Sequence, residues 1–200
     1  CNISELFVIS VASVLNLHFQ LFPLQILYIN IVTDVLQALA LGVTKGSDAI
    51  MKQPPRNPEE HIIDKPRWKA IFYYSIIITI GSIGAVFVAH YTVHNTETFD
   101  PVLCNNILFY TLILSQLLHV FNMGSSEVPL RKSEVFKNKY VWYASLVCIF
   151  MLAVSYLIEP VRKVLDIYPM SILDWIISIG MAFFSLVLIQ LLQKFNLIRQ

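Results

Sequence analysis

Pro23-Leu24-Gln25-Ile26-Leu27-Tyr28-Ile29-Asn30-Ile31-Val32-Thr33-Asp34, continued by Val35-Leu36-Gln37-Ala38-Leu39-Ala40-Leu41-Gly42, is an apolar run with a carboxylate near its middle. A bilayer core of about 30 Å needs roughly 20 helical residues, and 23–42 has that length. Backbone groups in hydrocarbon must bond internally, so the run is expected to be a helix. Pro23 opens it at a position where a missing N–H removes no helical bond. Asn30, Thr33 and Asp34 stand at i, i+3 and i+4 and therefore share one face. At 1.5 Å per residue, Asp34 lies about 16 Å from Pro23, close to mid-membrane. An ionisable side chain at that depth is costly and is a functional candidate by default.

The rest of the chain has the same character. Of its 200 residues 56% are hydrophobic and 14% charged, with formal net charge +1 and a mean hydropathy of +0.66. A soluble domain is usually about a quarter charged, so a membrane protein is expected. Nucleic-acid binding, coiled coil and disorder are excluded by the near-zero charge and the absence of basic tracts or charged heptads. Six apolar runs of spanning character are expected at roughly 1–17, 23–42, 69–92, 104–123, 140–158 and 171–193. The fold class that follows is an all-α six-helix membrane bundle whose first helix is cut short, because the chain starts at Cys1 within an apolar run.

Charge sets the orientation. Lys45, Lys52, Arg56, Lys65, Arg67 and Lys69 follow the second run, and Arg131, Lys132, Lys137 and Lys139 follow the fourth. Lys194 and Arg199 follow the sixth, leaving only Arg162 and Lys163 on the other side, so 12 of the 14 basic residues share one face. Those loops and the C-terminus are expected to be cytoplasmic. Trp68, Trp142 and Trp175 sit near span ends, as interfacial residues do. The link 43–68 carries Pro54, Pro55, Pro58 and Pro66 and reads as an extended connector. Cys1, Cys104 and Cys148 have no metal-like spacing.

A second carboxylate, Glu5, is about 18 Å from Leu17, and Asn2 lies one helical turn before it. Gln116 is about 18 Å from Cys104, with His119 a turn further on. Three runs thus place oxygen-bearing side chains at one level, with no Lys or Arg in the runs to neutralise them. Carboxylates, amides and a hydroxyl without soft sulfur donors suit a hard cation such as Ca²⁺, Mg²⁺ or Na⁺. The competing reading for Asn2, Thr33 and Gln116 is interhelical hydrogen bonding, and for His119 simple packing. Gly81, Gly84 and Ala85 are expected to allow close helix contact.

Residues 23–34 with Ala38-Leu39-Ala40-Leu41-Gly42 resemble the sixth membrane helix of P-type (E1-E2) cation-transporting ATPases, nearest in pattern to calcium pumps and their bacterial relatives. Asp48-Ala49-Ile50-Met51-Lys52-Gln53-Pro54-Pro55-Arg56 is similar to the family's next cytoplasmic loop. Asn2-Ile3-Ser4-Glu5 resembles the ligand-bearing part of the fifth helix. The resemblance implies a C-terminal membrane domain over 1–200, running from within the fifth helix to the tenth. It implies Asn2, Glu5, Asn30, Thr33 and Asp34 as cation ligands. Gln116 falls where two-site calcium pumps carry an eighth-helix glutamate, a departure that bears on whether a second ion binds. Gln37 replaces a proline found in many relatives, which bears on local unwinding of that helix. The family's phosphorylated-aspartate motif, nucleotide and actuator domains and fourth-helix glutamate have no counterpart in these 200 residues. ATP and Mg²⁺ would act on that other part, Ca²⁺ would be the transported ion, and the membrane would be a bacterial plasma membrane. The rival classes are a channel or secondary transporter without an ATP step, and a non-transporting scaffold.

Overall fold

The computed structural model describes residues 2–17, 19–43, 65–94, 99–123 and 134–194. Among them there are helices and turns and no strand. Six long elements follow one another: α1 Asn2–Val14, α2 Pro23–Gly42, α3 Lys65–His94, α4 Pro101–Met123, α5 Lys139–Leu157 and α6 Ile172–Lys194. All but α1, which has 13 residues, are long and apolar enough to cross a bilayer. The residues 44–64, which include most of the proline-rich connector and the loop motif 48–56, lie outside the described residues, as does 124–133.

The helix ends follow local chemistry. Asp100 accepts from the Val102 and Leu103 N–H groups at 3.0 and 3.4 Å, so α4 begins at Pro101 rather than at Cys104. Asn138 caps α5 in the same way, accepting from Tyr140 N at 2.9 Å. Pro66 falls in the first turn of α3, which therefore starts inside the expected connector. α1 stops before Leu17 because Asn16 takes φ 50° and the Leu17 and Asn16 amides bond back to Ala12 O and Ser13 O at 2.8 and 3.1 Å. That is a Schellman cap, with asparagine tolerating the left-handed position. A short helix, Glu159–Val164, ends identically through Asp166.

α3, α4 and α6 pack on one another as a central trio, with α1 against α3 and α2 against α5. α4 is the most buried of the spanning helices. α3 and α6 approach closely at Gly81, where an added Cβ would lie 2.1 Å from Ser185 Oγ, and at Gly84, which faces Met181. The small-residue face expected in α3 serves this contact. At one end of the bundle His94 Nε2 and Asp174 Oδ1 are 2.8 Å apart, tying α3 to the start of α6. Asp174 also closes a capping box with Ser171, accepting from its N–H and hydroxyl at 2.9 and 2.8 Å.

Candidate cation site

The middle of α2 is not a regular α-helix. Residues Asn30–Val35 form a π-helical segment between two α-helical pieces, Pro23–Ile29 and Leu36–Gly42. A π turn shifts the bonding ladder to i+5, widens the helix and is frequent at functional sites. Asn30, Thr33 and Asp34 all lie on this segment. The helix thus departs from regularity without a proline at position 37, where Gln37 is buried.

α1 and α4 meet the segment through side chains. Gln116 Nε2 donates to Glu5 Oε1 and to Ser4 Oγ, both at 3.2 Å. Gln116 Oε1 accepts from Thr33 Oγ1 at 2.9 Å. Thr33 Oγ1 is also 3.3 Å from Asp34 Oδ1 and 3.0 Å from the Ile29 carbonyl. Glu5, Gln116 and Thr33 are each exposed by 3% or less. One continuous chain of contacts therefore runs Glu5–Gln116–Thr33–Asp34 across three helices.

The composition of this cluster matters more than its connectivity. A threonine hydroxyl has a single hydrogen. Three oxygens (Ile29 O, Asp34 Oδ1 and Gln116 Oε1) surround it within 3.3 Å. Asn30 Oδ1, on the same segment, is buried with no hydrogen-bond partner among the described residues. Buried acceptors normally find donors, and the orphaned Asn30 Oδ1 is one that a cation would satisfy. The oxygens are carboxylate, amide, hydroxyl and carbonyl, which suits a hard ion. Among the described residues no three His, Cys, Asp or Glu side chains gather in a metal-holding group.

Five of the six sequence-derived candidates, Glu5, Asn30, Thr33, Asp34 and Gln116, lie on or beside this cluster. Asn2 is exposed and lines a neighbouring cavity of about 500 Å³ with Ser75, His119 and Met123. His119 packs against Tyr74, ring centroids 4.8 Å apart, rather than against the cluster. Sequence reasoning missed Ser4, which is fully buried and bonded to Gln116. Its signal was only its place one residue before Glu5. Thr79 of α3 supports it from behind, donating to Ser75 O at 2.7 Å and approaching Ser4 O at 3.4 Å.

Apolar helices that bury acidic and amide groups between them define a multi-pass integral membrane protein. The family is shown by comparison. A family model described as "Cation transporting ATPase, C-terminus" matches residues 19–195, and the chain belongs to that family. It is 32% identical over 182 residues to a calcium-transporting ATPase of Bacillus subtilis, covering 90% of this chain and 20% of that protein. It is 28% identical over 185 residues to calcium-transporting ATPase 1 of Bacillus cereus, covering 88% and 21%. A plasma membrane-type calcium-transporting ATPase 5 of Oryza sativa is 25% identical over 190 residues, covering 92% and 17%. The chain thus spans about a fifth of the length of the curated relatives it matches.

Proposed function

We propose that this chain is the ion-carrying membrane part of an ATP-driven pump, a translocase that exports Ca²⁺ from the cytoplasm. Glu5 and Asp34 supply negative charge, and Asn30, Thr33 and Gln116 supply neutral oxygens. Asn2, on the adjacent cavity wall, is an outlying oxygen on the approach. The observation that carries this reading is the contact chain Glu5–Gln116–Thr33–Asp34 on a widened helix turn that also holds Asn30 Oδ1, orphaned among the described residues. The family supports a pump, and the names of the relatives favour Ca²⁺ among hard cations.

ATP and Mg²⁺ would act on actuator, phosphorylation and nucleotide domains of a longer polypeptide, where an aspartate becomes phosphorylated. Transport follows if the ion binds tightly in one conformation and weakly in the other, because only a difference in affinity couples binding to a change of state. The basic loops and the C-terminus face the cytoplasm, by the distribution of the 14 basic residues, and the host is a bacterial plasma membrane, by family resemblance. In the full-length pump, Asp34→Asn is expected to abolish Ca²⁺-dependent phosphorylation by ATP with expression intact. A variant that is phosphorylated and transports normally would overturn the assignment.

A further inference from the structure

Cys148 Sγ, fully buried on α5, lies 2.9 Å from the Val32 carbonyl in the π segment of α2. A thiol is a weak donor, and dry, low-dielectric surroundings strengthen the bond it makes to a carbonyl. Where a helix changes from α to π bonding its ladder changes register, and side-chain donors from within or outside the helix can brace the altered turn. Thr33 provides one such donor to Ile29 O from within α2. Cys148 provides another from outside it.

Two further bonds tie the same pair of helices on either side of this one. Tyr28 Oη donates to Met151 O at 2.6 Å, and Asn138 Nδ2 donates to Ala40 O at 3.2 Å. α5 thus grips α2 before, within and after the π segment. The described part of the sequence holds no proline within this segment to enforce the irregularity. We propose that Cys148 is a positioning residue for cation binding: its thiol holds the Val32 carbonyl and keeps α2 in the widened turn that presents Asn30, Thr33 and Asp34. This rests on the cation-site reading, and it extends the site to a helix that contributes no ligand.

The test compares Cys148→Ala, which removes the donor, with Cys148→Ser, which restores one, in the full-length pump. The readout is the Ca²⁺ concentration giving half-maximal phosphorylation by ATP, with the maximal level measured separately. Cys148→Ala is expected to raise that concentration by about two- to threefold, in keeping with a weak S–H···O bond, with the maximal level nearly unchanged. Cys148→Ser is expected to recover most of the loss. An alanine variant with wild-type Ca²⁺ dependence, or a serine variant no better than alanine, overturns the proposal. Asp34→Asn is run alongside, and if it leaves the Ca²⁺ dependence intact it is the cation site that fails. The infrared S–H stretching band of Cys148, taken as the difference between the spectra of the wild type and Cys148→Ala, does not depend on pumping. A band lowered by hydrogen bonding supports the Cys148 bond in either case, and a band at the unbonded frequency refutes it.

Discussion

Two buried polar clusters in this bundle use similar side chains and end in opposite conditions. At the Pro23 end of α2, Gln25 and Asn105 form a reciprocal amide pair, Nε2 to Oδ1 at 2.7 Å and Nδ2 to Oε1 at 3.0 Å. Gln25 Nε2 also donates to Leu165 O at 3.0 Å, Gln25 Oε1 accepts from Phe22 N at 3.1 Å, and Asn105 Nδ2 reaches Gln20 O. Every amide hydrogen there has an acceptor. Deeper in α2, one Thr33 hydrogen faces three oxygens and Asn30 Oδ1 has no partner among the described residues. A matched network fastens helices together, whereas an orphaned buried acceptor on a segment that also carries a carboxylate asks for a positive charge. The two clusters should therefore respond differently to mutation: one through folding, the other through ion binding.

After Asp34→Asn, the largest effect is expected from Glu5→Gln, which keeps shape and removes charge. Ca²⁺-dependent ATP hydrolysis should lose at least about a hundredfold in apparent Ca²⁺ affinity, since even outer-shell partners of a metal cost 10–100-fold. Wild-type affinity in that variant would erase the contrast between the clusters. Gln25→Leu should act the other way: it strands the buried Asn105 amide and lowers stability by about 1–3 kcal/mol, read as a drop in the melting temperature of the solubilised protein. Its half-saturating Ca²⁺ should stay near wild type. Gly81→Val tests packing alone, since its side chain must enter the space of Ser185, and should cost about 1–3 kcal/mol in the same melting assay with ion affinity preserved. Gln116→Ala should weaken transport only several-fold if one ion moves per cycle, and complete loss would favour two. The smallest effect belongs to Lys163→Ala, which breaks an exposed pair with Glu159 at 2.7 Å and should leave both melting and affinity unchanged.

Much of this was legible in the sequence because burying charge in lipid is expensive. Glu5 and Asp34 stand out against apolar runs, and helical spacing adds Asn30, Thr33 and Gln116. The helices themselves follow from run length, and α2 runs Pro23–Gly42. What stayed hidden depends on tertiary partners. Ser4 looks like any small residue in an apolar helix until Gln116 reaches it. Gln25 and Asn105 lie near the ends of their runs, where polar residues are ordinary, and only the fold pairs them. The π segment has no local breaker to announce it, and the thiol that meets it belongs to a cysteine more than a hundred residues away. The early stop of α1 needed the left-handed φ of Asn16, which composition does not reveal.

Equilibrium binding of radioactive Ca²⁺ to the full-length protein, without ATP, tests most directly whether the Glu5–Gln116–Thr33–Asp34 cluster holds the ion. Saturable binding to the wild type and to Gln25→Leu, with none above background for Asp34→Asn, is the predicted result. Undiminished binding to Asp34→Asn would contradict it.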